Sequence, residues 1–205
     1  ETYTVAAGDS ATLSTGDKVT ATITKVVKNV ADTAEGNNEI VTLVVENAEQ
    51  YANVVTEAGT LTITQKPVTI TADSDSKEYD GTALTKDSYT STELATGDAY
   101  ESVTVTGSII KVGTVDNVPS DAKIVDGEED VTANYDITYV NGTLEITQST
   151  KELKVVANSN SWEYDSENHQ DGGYTVSFGD ETYTVAAGDS ATLSTGDKVT
   201  ATITK

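Results

Sequence analysis

The first 25 residues, ETYTVAAGDSATLSTGDKVTATITK, return letter for letter as residues 181–205. Chance does not produce an identity of that length, and self-similarity at a fixed spacing decides architecture before any local signal does. The chain therefore holds one full period of 180 residues and the first 25 of the next.

A second, degenerate repeat lies inside that period. Ala72-Asp73-Ser74-Asp75-Ser76-Lys77-Glu78-Tyr79-Asp80 aligns with Ala157-Asn158-Ser159-Asn160-Ser161-Trp162-Glu163-Tyr164-Asp165. Ala95-Thr96-Gly97-Asp98 aligns with Ser194-Thr195-Gly196-Asp197, which places extra residues around Gly179 to Thr192. The closing motifs agree too: Asn134-Tyr135 followed by Gly142-Thr143-Leu144-Glu145-Ile146-Thr147-Gln148 matches Gln50-Tyr51 followed by Gly59-Thr60-Leu61-Thr62-Ile63-Thr64-Gln65. The expected organisation is thus two diverged modules per period. Module B is complete at residues 67–150. Module A is split, with its back part at residues 1–66 and the front part of the next copy at residues 151–205.

Period-2 alternation at Val68–Thr71, Val103–Thr106, Tyr135–Tyr139 and Leu144–Ile146, each bounded by Gly, Asp or Asn, predicts strands with one apolar and one Thr-rich face. Turns are expected at Asp80-Gly81, Thr96-Gly97-Asp98, Asp126-Gly127 and Asn141-Gly142. The last of these reads as the tight turn of a hairpin over residues 135–147, since both residues tolerate positive φ. No amphipathic helix stands out, although Ala83–Tyr89 or Glu46–Asn53 has room for a single turn. The fold class expected is all-β, built from tandem small modules of immunoglobulin-like sandwich or β-grasp-like form.

Composition then removes whole classes of function. Lys and Arg number 12 against 34 Asp and Glu, a net charge of −22, and every basic residue is Lys. Such a chain is repelled by phosphate backbones, so nucleic acid is not an expected partner. Without cysteine there is no disulfide, thiolate nucleophile or Cys-based metal centre. The one histidine, His169, would have to carry any histidine-dependent catalysis alone. No apolar run approaches the roughly 20 residues that span a bilayer, so membrane insertion is not expected. The chain reads as a non-enzyme.

One family resemblance rests on the residues already placed. Lys77-Glu78-Tyr79-Asp80-Gly81-Thr82-Ala83-Leu84, then Val105-Thr106-Gly107-Ser108, Val112-Gly113-Thr114, Asn117, and Asp130-Val131-Thr132-Ala133-Asn134-Tyr135 with Gly142-Thr143-Leu144, resemble the YDG and mucin-binding-glycoprotein (MBG) type repeats. Those are tandem modules in long surface proteins of bacteria. The likeness covers module B; module A departs from it, with Trp162 in place of the Lys and Ser166 in place of the Gly. The resemblance implies an extracellular, cell-surface stalk, adhesin or fibre segment with no catalytic residues to carry over.

Particular residues carry a bland and a sharper reading. Tyr79-Asp80-Gly81 reads as a packed tyrosine opening a turn. Asp73-Ser74-Asp75 and Asp126-Gly127-Glu128-Glu129-Asp130 offer oxygens suited to Ca2+, or else form solvated acidic loops. Trp162 with Tyr164 is the candidate ligand contact, a sugar-stacking platform, against core packing for the indole. Lys77 and Asn134 are positioned candidates for an intramolecular isopeptide. Asn141-Gly142-Thr143 matches a glycosylation sequon, but its place in the expected turn accounts for it.

A module of this size has a radius of gyration near 12 Å and would advance a rod by roughly 30 to 40 Å. The joints Thr64-Gln65-Lys66-Pro67 and Thr147-Gln148-Ser149-Thr150-Lys151 are short and free of Gly runs, which favours stiffness. Expected partners are neighbouring modules in a head-to-tail rod, with host glycan or mucin as the alternative. The split of module A has two accounts. It is either a window onto a longer array, or a subunit whose tail completes the head of the next copy, with the duplicated residues then competing for one place.

Overall fold

The computed structural model describes residues 2–204. In chain order the first strands are β1 (Ala11–Thr12), β2 (Lys18–Ile23), β3 (Ile40–Val45), β4 (Lys66–Ala72), β5 (Asp75–Glu78), β6 (Tyr89–Ser91), β7 (Asp98–Thr106) and β8 (Gly113–Asp126). After these come β9 (Glu129–Asp130), β10 (Tyr135–Val140), β11 (Gly142–Thr147), β12 (Leu153–Ala157), β13 (Tyr174–Phe178), β14 (Glu181–Val185), β15 (Ala191–Thr192) and β16 (Lys198–Val199). The helical pieces are single 3-10 turns at Val30–Asp32, Ala48–Gln50 and Thr132–Asn134. The chain is all-β, as its alternating Val, Ile, Thr and Tyr dictate. The turn allowed over Glu46–Asn53 forms, entered through Asn47 at φ 51°, whereas Ala83–Tyr89 holds no helical turn.

The chain divides into two compact units. One takes residues up to Val68 with Glu93–Ser102 and Ala122–Thr138; the other takes Thr69–Thr92, Val103–Asp121 and Tyr139 onward.

In the first unit β1, β2 and β3 form an antiparallel sheet in that order. Beyond it, side-chain amides hold the loops. Asn37 Nδ2 donates to the carbonyls of Asp32 and Leu61 while its Oδ1 accepts the Leu61 N–H. Asn134 Oδ1 accepts the Val30 N–H. The turn at Gly127, with φ 62°, folds β9 back onto the end of β8. Apolar burial in this unit sits at Val68, Ala122, Ile124, Val131 and Tyr135. Among the described residues, none from 2 to 66 is buried, and Ile23, Val26, Val41, Val44 and Val55 are exposed.

The second unit has two cores. Leu84, Leu144 and Ile146 pack with Tyr79, Ile109 and Val115, beneath β11, which pairs in parallel with β5 and antiparallel with β8. Tyr174, Val176 and Phe178 of β13 pack with Val185, Ala191 and Leu193. β13 is the centre of the sheet β12-β13-β14. The Tyr174 hydroxyl donates to the carbonyls of Asp189 and Val199, at 2.9 and 3.2 Å, and so ties the strand to the segment that covers it.

The expected hairpin over residues 135–147 does not form. β10 joins the sheet with β4 and β6, whereas β11 joins β5 and β8, so the chain changes sheets at Asn141. Gly142 is needed for a different reason from a tight turn: a Cβ there would lie 2.4 Å from the Asp73 carbonyl oxygen. Close approach of two backbones, not positive φ, selects the glycine.

The duplicated segment offers an internal control on packing. Leu193 is 7% exposed in its core, whereas Leu13, the same residue in the same local sequence, is only half-buried. Leu193→Ala is expected to cost about 2–5 kcal/mol and Leu13→Ala well under half of that in dilute solution. Hydrogen exchange at the neighbouring amides reads each change locally; equal losses would refute the assignment of the two environments.

Candidate functional site

The 16 residues between β12 and β13 carry two exposed aromatic side chains, Trp162 and Tyr164. Positive φ at Ser166, 67°, turns the chain so that His169 returns over Trp162. The two rings stack with centroids 4.9 Å apart and planes 10° apart. His169 Nε2 lies 2.9 Å from Asp165 Oδ1, which also accepts the Glu167 N–H. Those bonds, the backbone one first, hold the Asp165 carboxyl below the usual aspartate range. Trp162 is 47% exposed, so core packing is not its role; Tyr164 is 94% exposed, its hydroxyl accepting from Ser166 at 3.1 Å. The loop thus presents flat apolar faces beside hydroxyl and carboxylate groups, the chemistry that meets a sugar ring.

The aligned segment of module B uses the same aspartate differently. Lys77 Nζ donates to Asp80 Oδ1 at 2.8 Å, to Thr82 Oγ1 at 2.6 Å and to the Ala83 carbonyl at 3.3 Å. Asp80 Oδ1 also accepts the Thr82 N–H and hydroxyl. The Lys77 bond, then those of Thr82, push the Asp80 carboxyl far below its ordinary value. Where Trp162 replaces the lysine, His169 becomes the partner of Asp165. Asn134 donates to Asn29 and accepts from Val30, so Lys77 and Asn134 are each engaged elsewhere and make no isopeptide pair.

The acidic loops are likewise committed one by one. Asp73 accepts from the Ser88 hydroxyl, and its carbonyl accepts from the buried Asn117, which also donates to Lys86. Ser74 accepts the Thr143 N–H, and Asp75 accepts the Ser76 N–H. Asp126 pairs with Lys28 at 2.8 Å, and Asp130 caps Thr132. Among the described residues, no three carboxylate or imidazole groups converge as a metal ion requires.

A different arrangement was not foreseen from the sequence. Each Thr-Gly-Asp turn holds a tyrosine hydroxyl. Asp17 accepts from Tyr51, and also from Asn47 and Thr15. Asp98 accepts from Tyr135, whose hydroxyl in turn accepts the Ala95 N–H. Asp197 accepts from Tyr79 at 2.9 Å and from Thr195 at 2.8 Å. The bond to Tyr51 draws the Asp17 carboxyl below its usual value, and each bonded tyrosine is raised, Tyr51 and Tyr79 by the carboxylate and Tyr135 first by burial. The signal was present in the recurrence of Thr-Gly-Asp with Gln50-Tyr51 and Asn134-Tyr135. The third pairing uses the tyrosine of the Tyr-Asp-Gly motif instead.

That third contact lies within the second unit. Gly81, φ +81°, lies so close to Thr195 that a Cβ would fall 2.0 Å from its carbonyl oxygen. Beside it Glu78 accepts the N–H and hydroxyl of Thr150, and Lys151 Nζ stands 5.2 Å from the centre of the Phe178 ring. Within that unit the Tyr-Asp-Gly turn is therefore tied to the Thr-Gly-Asp turn by a hydroxyl and a backbone contact, and Glu78 to the connector at Thr150.

A folded-state carboxyl pKa below the unfolded one contributes stability that is complete above the unfolded value and is lost as the pH falls through the folded one. Asp80 is accordingly expected to stay ionised well below the ordinary 3.8. Lys77→Met should return its titration toward that value, as followed by carboxyl 13C shifts. A midpoint unmoved by the substitution would mean that Lys77 does not hold the carboxylate.

No helix is long and apolar enough to cross a membrane among the described residues. No family model matches the chain, and no curated protein or solved structure resembles it.

Proposed function

We propose that the chain is a structural repeat segment of a bacterial cell-surface stalk, adhesin or extracellular fibre, and that it acts by reach, not by chemistry. In this reading the 180-residue period is a pair of small β modules, immunoglobulin-like or β-grasp-like, and the array projects a distal binding domain away from the cell. One observation carries it: Tyr79 reaches Asp197 and Gly81 lies against Thr195, contacts that this reading takes as the joint between successive modules. A connector without such contacts would leave the modules to swing freely. The resemblance of residues 67–150 to YDG and MBG repeats supports the same role, as does the charge, which keeps neighbouring rods apart at close range.

Small-angle scattering and electron microscopy of a chain with several periods test this. Length should rise by roughly 60 to 80 Å per period, as a semi-rigid rod of two modules each requires. Gly81→Val should part the joint and shorten the maximum dimension through bending. A compact particle whose size grows as a globule would end the stalk reading.

The second reading, a glycan- or mucin-binding module, is favoured by the exposed Trp162–His169 stack with Tyr164 beside it. It predicts a signal on a glycan array that Trp162→Ala lowers at least about tenfold, the loss of a principal stacking contact. Absence of any signal from the unmodified chain removes this reading and leaves the rod.

A further inference from the structure

Two single 3-10 turns, Val30–Asp32 and Thr132–Asn134, meet inside the first unit, where Val30 and Asn134 are hydrogen-bonded although 104 residues separate them. The start of a helical turn leaves N–H groups with no partner inside the turn. At the earlier turn Asp32 Oδ2 accepts two of them, from Lys28 and Asn29, each at 2.8 Å. The next, the Val30 N–H, goes instead to Asn134 Oδ1 at 2.8 Å. Asn134 Nδ2 meanwhile donates to Asn29 Oδ1, also at 2.8 Å. One side-chain amide thus caps a turn that is not its own and uses both its acceptor and its donor to do so. A carboxylate offers no donor and an ammonium no acceptor, so the amide is the group that fits.

The side that carries Asn134 is held in place beforehand. Thr132 Oγ1 accepts the Ile124 N–H, the Val131 N–H donates to the Ile124 carbonyl, and the Asn134 N–H donates to the Val131 carbonyl, each at 2.9 Å. Ile124, Val131 and Tyr135 are buried. Two further contacts flank the cap. Gln65 Nε2 donates to the carbonyls of Ala133 and Tyr135, at 3.1 and 3.2 Å, and Lys28 Nζ meets Asp126 at 2.8 Å. The side chains of that ion pair are 66% and 39% exposed, so it adds little. The neutral amides dominate.

We infer that residues 126–135 form a docking surface for residues 28–65, the segment that the repeat assigns to the preceding module, and that Asn134 is the coupling residue of this interface. Its partner is defined by chemistry: a 3-10 turn whose unpaired N–H and whose capping Asn29 both meet one carboxamide. Neither turn opens without loosening the other. The inference stands apart from the stalk reading, because it concerns which stretches of chain unfold together and not how far the chain reaches. Coupling of this kind is reciprocal, and reciprocity decides the experiment.

Hydrogen exchange of the full chain, resolved by residue with NMR, tests it. The N–H groups of Asp32 and Thr33 bond within the earlier turn and not to Asn134. Asn134→Ala should nevertheless speed their exchange about three- to tenfold, the range that one such hydrogen bond contributes. Asp32→Ala, which removes the earlier turn's own acceptor, should do the same across the interface at Val131 and Asn134. Asn134→Asp keeps the acceptor and loses the donor; it should give a smaller rise on both sides, and it reads the same coupling should the alanine variant fail to fold. Lys28→Met should change exchange less than about threefold. Unchanged protection at Val176 of β13 in each variant shows that the rest of the chain stays folded. Exchange that rises only on the substituted side, or on neither, would overturn the inference. So would a rise from Lys28→Met as large as that from Asn134→Ala, which would make the contact an ion pair.

Discussion

A tyrosine hydroxyl held by the aspartate of a Thr-Gly-Asp turn is the tie on which the arrangement depends. It recurs three times, as Asp17 with Tyr51, Asp98 with Tyr135 and Asp197 with Tyr79. A chain with few large apolar residues cannot rely on a deep core at every turn. A charge-assisted bond from a rigid aromatic side chain fixes a loop with little loss of side-chain freedom. In the first two cases the tyrosine comes from the closing motif of the same repeat. In the third it comes from the Tyr-Asp-Gly motif, so the same tie is made with a tyrosine from a different place in the sequence.

Much of this was legible beforehand, because it depended on local pattern. Strands β4, β7, β10 and β11 stand where alternation placed them, and the Asp126-Gly127 turn forms. What could not be read was pairing at a distance. Nothing local marks the parallel match of β5 with β11, because parallel and antiparallel edges use the same residue types. Asn141-Gly142 carried the signature of a tight hairpin, yet the approach of the Asp73 carbonyl decided the glycine and sent the two strands to different sheets. Between the two readings open for Trp162, only the fold could decide against core packing. An indole is normally worth burying, but here it stacks on the His169 ring and stays 47% exposed.

The duplicated segment makes the limit of local reading plain. Over the described residues 2–24 and 182–204, one sequence packs around β13 in the later place and lines an open groove in the earlier. Propensity, pattern and turn chemistry are equal in both, so the difference lies wholly in which neighbours are present. β-structure depends on cross-strand partners more than on intrinsic preference. Of the candidate site, the alignment marked Trp162 and Tyr164, whereas the His169 stack required the fold.

The parallel match of β5 with β11 has a mechanical consequence. Leu144 opposes Asp75 and Thr147 opposes Glu78, so the strand near the entry to residues 67–150 and the strand at the exit run the same way side by side. Tension drawn through the polypeptide pulls these two in opposite directions along their length. Their evenly spaced hydrogen bonds then share the load and must fail together, in contrast to an antiparallel hairpin, which unzips one bond at a time. Load drawn through β5 and β11 is thus met in shear, the direction in which such a pair is hardest to part.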